Sequence, residues 1–121
     1  VDHENILDSD SILSLAYLPQ SMIVLGAGVI ACEFASVFVA LGVKVTLVDK
    51  GDRPLAFLDG ELTTRFVAEF GKLGGQFLGR RSIAKVEFDG VSQVELTLEN
   101  GEVLRADKLL CALGRVAPVA L

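Results

Sequence analysis

The segment from Met22 to Asp49 constrains the fold of this 121-residue chain more than any other part of the sequence. It contains a short apolar run, a glycine turn, an apolar stretch of helical length and a second apolar run that ends in an acid. An apolar run that leads directly into a glycine turn and a helix is typical of a parallel strand. We therefore predict a β-α-β unit over this segment, with the glycines between the first strand and the helix.

The glycine turn spans residues 26 to 31 and reads Gly-Ala-Gly-Val-Ile-Ala. Gly26 permits a tight turn, Gly28 removes a side chain where a pyrophosphate would approach, and Ala31 is small enough for close packing of helix on strand. The helix N-terminus would add free N–H groups and the positive end of the helix dipole. Asp49 follows about 20 residues later, where an acid can accept hydrogen bonds from a ribose. These features predict dinucleotide binding; a turn that only packs the helix on the sheet would leave Asp49 unexplained.

Composition argues against several other classes of protein. The net charge of −5 disfavours non-specific nucleic-acid binding, which needs a basic surface. No run of 18 apolar residues exists, so we expect no membrane span. The polar start, Val-Asp-His-Glu-Asn, does not resemble a signal peptide and suits the cytoplasm, and the missing initiator Met favours a fragment of a longer protein.

The sequence offers no catalytic or metal-binding cluster of its own. It contains a single histidine, His3, near the start, and no Ser-His-Asp triad or paired-carboxylate site can be assembled. Cys32 and Cys111 lie far apart and form no Cys-x-x-Cys motif. Each lies in an apolar run, so we predict that both are buried packing residues.

Beyond Asp49, the pattern predicts a second helix and a third strand. Leu62, Phe66, Phe70 and Leu73 recur at helical spacing after a candidate N-cap at Asp59, and two glycines follow. A short strand is expected at residues 76 to 78. Near the start of the chain, residues 9 to 11 can cap a short helix that continues to residue 15.

The last third of the chain predicts strands instead of another crossover helix. Apolar and polar residues alternate over 84 to 88 and 94 to 98, Asp-Gly and Asn-Gly turn signals follow these runs, and a third strand is expected at 103 to 105. Residues 108 to 113 are nearly all apolar, as in a parallel strand buried on both faces. The predicted fold is α/β: a Rossmann-like βαβαβ parallel sheet with an antiparallel three-stranded β-meander crossover.

Three charged residues near the second strand bear on the choice of dinucleotide. Asp49 favours a free ribose 2′-hydroxyl and repels a 2′-phosphate, whereas Lys50 and Arg53 could attract such a phosphate. Together they predict a site for NAD(H) first, with NADP(H) tolerated. The alternative for Lys50 and Arg53 is solvated loop charge.

Glu33 is unusual because the helix around it is apolar on nearly every face. A carboxylate in a buried helix is strongly unfavourable unless it is paired or hydrogen-bonded. We therefore expect Glu33 either to have a partner or to face a cleft filled with water.

The whole chain resembles the NAD(P)-binding domain of the pyridine nucleotide–disulfide oxidoreductase family of flavoproteins. The motifs that carry the resemblance are residues 26 to 33, the meander, and the closing Gly114-Arg115. The resemblance implies that residues 1 to 121 are one domain of a larger homodimeric flavoprotein, whose FAD and dimerisation domains lie outside this chain. NAD(H) and NADP(H) would bind to this domain and FAD to the parent enzyme.

The resemblance also implies roles for individual residues. Glu33 would lie near the nicotinamide and the flavin, Val29 at the flavin edge, Ile83 against the adenine, and Gly114 beside the dinucleotide. For Glu33 the alternatives are a domain-interface salt bridge or a solvated helix edge, and Val29 would otherwise be a packing residue. The residues expected at the cofactor are Gly26, Ala27, Gly28, Val29, Ile30, Ala31, Glu33, Asp49, Lys50, Arg53, Ile83 and Gly114.

Within the family, residues 28 to 38 and 53 to 59 look most like the soluble pyridine nucleotide transhydrogenase branch. That resemblance implies hydride transfer from NADPH to NAD⁺ through the flavin, with no turnover by the isolated domain. Two alternatives stay open: a fragment of a dihydrolipoamide dehydrogenase or related disulfide reductase, and a non-catalytic module that senses NAD(H).

Overall fold

The computed structural model describes residues 6–8, 18–51, 54, 60–88 and 93–112. These parts of the chain form eight strands and two helices. Strands and helices alternate from the second strand to the fourth, and four further strands follow. In chain order they are β1 (Ile6–Asp8), β2 (Ser21–Leu25), α1 (Val29–Ala40), β3 (Lys44–Val48), α2 (Gly60–Lys72), β4 (Gln76–Leu78), β5 (Ile83–Phe88), β6 (Val94–Leu98), β7 (Val103–Ala106) and β8 (Lys108–Cys111).

The centre of the fold is a five-stranded parallel sheet in the order β1-β8-β2-β3-β4. Strand β2 lies in the middle and is buried from Met22 to Leu25, because both faces of the sheet are covered. Met22 and Val24 point into a core shared with α1, whereas Ile23 and Leu25 point into a second core shared with the meander. The parallel sheet is therefore the middle layer of the domain.

Strands β5, β6 and β7 form the antiparallel meander that the turn signals predicted. Val94, Leu96 and Leu98 of β6 are buried against the parallel sheet, and their polar neighbours point away. Gly101 has a φ of 96° at the turn between β6 and β7, a conformation that glycine adopts without steric strain. The predicted fold class is thus confirmed.

Two features differ from the prediction. Strand β1 was not predicted; it pairs with β8, more than a hundred positions away, and its three residues carry no local strand pattern. Leu62 of α2 is 53% exposed and Leu73, directly after the helix, is 58% exposed, because the helix packs through the face that carries Thr63 and Phe70. The expected helix at residues 9 to 15, the cap at residue 59 and the turn at 89–90 lie outside the described residues.

Neither of the helices in the described ranges has the length and the apolar sequence that a membrane crossing requires.

Candidate nucleotide-binding site

The site lies at the carboxyl edge of the parallel sheet, where the strand order reverses. From β2 the chain crosses through α1 to β3 on one side, while β8 lies on the other side of β2. Such switch points form the crevices in which open α/β sheets bind ligands. The N–H of Gly26 donates to the Val48 carbonyl at 2.8 Å, and that of Ala112 donates to the Leu25 carbonyl at 3.0 Å, so β3 and β8 end beside the glycine turn.

The glycine turn leaves open space above its backbone. Gly26 has a φ of 112°, which favours glycine, and Gly28 is the exposed N-cap of α1 without a side-chain cap. A Cβ added at Gly28 would have no atom within 4 Å. The first hydrogen bond of α1 runs from the Cys32 N–H to the Gly28 carbonyl at 3.0 Å. The backbone N–H groups before Cys32 therefore have no acceptor within the helix and face the open space at its N-terminus. Ala31 is fully buried, as a residue that lets helix and sheet pack closely should be.

A cavity of about 400 Å³ lies at the same edge, beyond the end of β3. The structure brings three of the predicted residues, Asp49, Lys50 and Ile83, into its wall. It adds residues that the sequence analysis did not single out. The full lining is Val48, Asp49, Lys50, Arg81, Ser82, Ile83 and Glu99.

Asp49 is fixed by hydrogen bonds through its backbone N–H, its backbone carbonyl and its carboxylate. Its Oδ2 accepts the N–H of Gly51 at 2.9 Å, which is an Asx turn that orients the carboxylate. Its own N–H donates to the Leu78 carbonyl at 3.2 Å, and its carbonyl accepts the Arg81 N–H at 3.0 Å. The loop after β3 is therefore joined to the loop after β4.

Arg81 enters the cavity wall from the loop between β4 and β5. Its Nε donates to Oε1 of Glu102 at 2.8 Å, and its Nη1 donates to the Gly79 carbonyl at 2.7 Å. The Asn100 amide donates to the same Glu102 oxygen at 2.8 Å. The hydrogen bonds from Arg81 and then Asn100 lower the pKa of Glu102 below its usual value. A charged pair therefore anchors the Arg81 side chain to the β6–β7 turn.

Helix α1 exposes an apolar face that surrounds Glu33. Val29, Ile30, Val37 and Leu41 are 50%, 42%, 54% and 55% exposed, and Glu33 lies exposed among them. The premise that Glu33 occupies a helix buried on nearly every side is thus wrong for this domain. Glu33 is exposed, which agrees with the alternative of a solvated helix edge.

The two cysteines differ in their surroundings. Cys32 is buried in α1, and its Sγ lies 3.5 Å from the Ala27 carbonyl oxygen. Burial, with a smaller contribution from the charge of Asp49, raises the pKa of the Cys32 thiol to about 12. Cys111 is only partly buried beside the second core, so the predicted burial is confirmed for Cys32 and is incomplete for Cys111.

Arg53 and Gly114 lie outside the described residues. Arg81, Ser82 and Glu99 were missed, because no local motif marks them. The signal in the sequence was the pair Arg80-Arg81, which one glycine separates from the predicted strand at 76–78. The end of a parallel strand lies at the carboxyl edge of the sheet.

The parallel sheet, with a glycine turn at its switch point and an acid directly after β3, is a Rossmann-like fold. The sequence matches the family described as pyridine nucleotide-disulphide oxidoreductase over residues 1–121. The chain therefore belongs to the pyridine nucleotide–disulfide oxidoreductase family, as the motifs indicated.

Curated relatives and solved structures agree with this family. The chain is 46% identical over 115 residues to the soluble pyridine nucleotide transhydrogenase of Vibrio atlanticus and 42% identical over 113 residues to that of Hahella chejuensis. Each match covers 93% of this chain and 24% of the relative, so the chain spans about a quarter of their length.

Two solved structures superpose on most of the chain. LpdA from Mycobacterium tuberculosis has a TM-score of 0.87 at 29% identity, over 94% of this chain and 25% of that one. The HOCl-induced flavoprotein disulfide reductase RclA from Escherichia coli has a TM-score of 0.85 at 28% identity, over 92% and 25% of the two chains.

Proposed function

We propose that this chain is the NAD(P)(H)-binding domain of an FAD-dependent oxidoreductase that acts as a soluble transhydrogenase. The observation that carries the proposal is the placement of the Asp49, Lys50 and Ile83 cavity beside the open Gly26–Gly28 turn. The cavity would take the adenosine, and the turn with the N-terminus of α1 would take the pyrophosphate. The nicotinamide would then extend along α1 towards Val29 and Glu33.

The domain's own contribution to the reaction is binding and orientation. The reaction would be NADPH + NAD⁺ → NADP⁺ + NADH, and the flavin of the parent enzyme would supply an acceptor and donor of hydride. Asp49, held by the Gly51 N–H, would accept hydrogen bonds from the ribose of NAD(H). Gly28 would leave the pyrophosphate room to reach the backbone.

The exposed face of α1 supports a partner domain for this one. Val29, Ile30, Val37 and Leu41 form an apolar surface next to the expected nicotinamide position. Relatives about four times as long as this chain have the length for FAD and dimerisation domains, so we propose that the FAD domain of the parent covers this face. Glu33 would then lie between the nicotinamide and the flavin. We further propose that the parent is a cytoplasmic homodimer.

A disulfide reductase is the second candidate for the parent enzyme. The structural similarity to a flavoprotein disulfide reductase, with a TM-score of 0.85, favours it. The higher sequence identity to the transhydrogenases, 46% against 28%, favours the first candidate. A Cys-x-x-x-x-Cys motif in the FAD domain would distinguish the reductase from the transhydrogenase.

The test is a calorimetric titration of the full-length gene product with NADH and with NADPH, together with its flavin absorbance and its rate of transhydrogenation. We expect bound flavin, binding of NADH, weaker binding of NADPH, and hydride transfer from NADPH to NAD⁺. Binding of NADH alone, with dithiol-dependent activity, would favour the reductase. If neither nucleotide binds, the proposed function is wrong.

A further inference from the structure

The cavity wall carries charges of both signs. Asp49 and Glu99 are acidic, whereas Lys50 and Arg81 are basic. A ribose with free hydroxyls can bond to the acid, but a 2′-phosphate placed here would meet repulsion from both carboxylates. Among the described residues of the wall, Lys50 offers a single flexible ammonium on an exposed residue, and Arg81 is the second base that could meet such a phosphate.

Arg81 is suited to bind a phosphate because its position is already fixed. The backbone N–H bonds to Asp49, the Nε to Glu102 and the Nη1 to Gly79, at 3.0, 2.8 and 2.7 Å. The two side-chain bonds use two of the five N–H donors of a guanidinium, and the terminal nitrogens have more donors to offer. The side chain is 29% exposed, so its head lies at the boundary between protein and water. Little side-chain entropy would be lost on binding a phosphate.

Glu102 both holds Arg81 and offsets its charge. The Asn100 amide and the Arg81 guanidinium bond to the same Glu102 oxygen, while the Glu102 N–H donates to Asn100 Oδ1 at 2.9 Å. The bonds from Arg81 and then Asn100 lower the pKa of Glu102 below its usual value. Glu102 therefore positions the guanidinium together with the Gly79 carbonyl, and its charge reduces the net attraction of the guanidinium for an anion.

Building on the proposed function, we propose that Arg81 binds the 2′-phosphate of NADP(H) and that Glu102 is its positioning residue, which also limits the strength of this binding. Asp49 serves the ribose of NAD(H), and Arg81 with Lys50 serves the phosphate of NADP(H). One cavity thereby accepts both nucleotides, because the ribose of NAD(H) and the 2′-phosphate of NADP(H) bond to different residues of its wall.

The first test is Arg81→Gln in the full-length protein, titrated with NADH and NADPH. We expect the affinity for NADPH to fall about tenfold, as for loss of a charged hydrogen bond, and the affinity for NADH to change less than twofold. Arg105→Gln is the matched control, since Arg105 also belongs to an ion pair of the meander, with Glu95 at 2.8 Å, but does not line this cavity. The control should change neither affinity.

Glu102→Gln tests the same inference with an effect of opposite sign. The amide oxygen of glutamine can still accept the bonds from Arg81 and Asn100, but the negative charge is removed. NADPH should then bind about threefold more tightly, a modest gain because the Arg81–Glu102 pair is partly exposed to solvent. The affinity for NADH, which has no 2′-phosphate, should be unaffected. The gain should shrink at high salt, which a purely structural effect would not do.

The outcomes separate this inference from the function on which it rests. Suppose that the wild type binds both nucleotides but Arg81→Gln leaves the affinity for NADPH unchanged, or lowers both affinities equally. Arg81 then does not bind the 2′-phosphate, and the proposed function stands. Binding of NADH alone by the wild type also overturns the inference. If the wild type binds neither nucleotide, both proposals are wrong. Should Arg81→Gln fail to fold, Glu102→Gln decides, and a gain for NADPH alone supports the inference.

Discussion

The backbone nitrogen of Arg81 lies 3.0 Å from the carbonyl oxygen of Asp49. This hydrogen bond joins two loops that follow adjacent parallel strands, and a second bond, from the Arg80 N–H to the Gly51 carbonyl at 2.8 Å, reinforces the connection. An acid suited to a ribose and a base suited to a phosphate are thereby held on one cavity wall. The chemistry of the two side chains can be tested separately because the backbone, and not the side chains, makes this connection.

Asp49→Ser should change the preference between the two nucleotides. Loss of the carboxylate should weaken NADH binding about tenfold, which corresponds to about 1.4 kcal/mol, and improve NADPH relative to NADH. The serine hydroxyl can still accept the Gly51 N–H, so the loop should keep its shape. Calorimetric titration measures both affinities.

Asp107→Ser is the control for that substitution. Asp107 also accepts a backbone N–H, that of Gln20 at 3.0 Å, but it lies before β8, at the opposite edge of the sheet. It should alter neither affinity. If Asp49→Ser also leaves both affinities unchanged, Asp49 does not contact the ribose.

Gly28→Ala should affect binding without affecting the fold. The added Cβ has no protein atom within 4 Å, and the φ of −81° is allowed for alanine. The free energy of unfolding should therefore change by no more than about 1 kcal/mol. The methyl group would occupy the space expected for the pyrophosphate, so NADH and NADPH should both bind at least about tenfold more weakly.

Gly71→Ala provides the comparison for Gly28→Ala, since it also adds a Cβ to open space but lies in α2. Both affinities should be unchanged in this variant. Equal affinities for wild type and Gly28→Ala would mean that the glycine turn only packs the helix on the sheet.

Local sequence patterns were sufficient for most of the fold. The apolar run, the glycine turn and the helix that follows each specify their own conformation, and the Asn-Gly turn fixes the hairpin between β6 and β7. Strand β1 is different, because its only support is pairing with β8 at the far end of the chain. The exposed face of α1 could not be predicted either, since an apolar helix sequence does not say which of its faces packs against the sheet.

The site was predictable to the extent that it depends on single motifs. Asp49 and Lys50 follow a strand end that the sequence marks, and the structure places them with Ile83 in one wall. Arg81 and Glu99 reach that wall from two loops that only the sheet order brings together. Their role depends on tertiary contacts, such as the bond between Arg81 and Glu102, that no sequence spacing encodes.

Gly75→Ala should destabilise the fold through a single contact. A Cβ at this position would lie 2.5 to 2.6 Å from ring atoms of Phe70, which is buried in the core under α2. Neither the ring nor the backbone can move freely, so we expect a loss of about 1–3 kcal/mol in the free energy of unfolding. Gly71→Ala, in the last turn of α2, should instead stabilise by up to about 1 kcal/mol. Denaturant unfolding of the two variants should give opposite signs; a neutral Gly75→Ala would contradict the Phe70 contact.

The raised pKa of Cys32 predicts an unreactive thiol. At pH 8 a thiol with a pKa of about 12 is almost entirely protonated, and the thiolate is the reactive form. Iodoacetamide at pH 8 should label Cys32 far more slowly in the native protein than in the unfolded protein, measured on the peptide that carries Cys32 in a Cys111→Ser variant. Equal rates, followed by mass spectrometry, would show that the thiol is accessible and ionised in the fold.

The same pKa also sets the direction of a pH effect on stability. The thiol keeps its proton in the folded state up to about pH 12, whereas in the unfolded state it loses the proton near pH 9.0. The unfolded state therefore binds fewer protons between these values, and the free energy of unfolding should fall as pH rises through that window. Below pH 9 the contribution is fully present and constant. Urea unfolding at pH 8, 9 and 10 measures the slope, and Cys32→Ala, which removes the titrating group, should show a smaller decline; identical slopes would mean that Cys32 does not carry the effect.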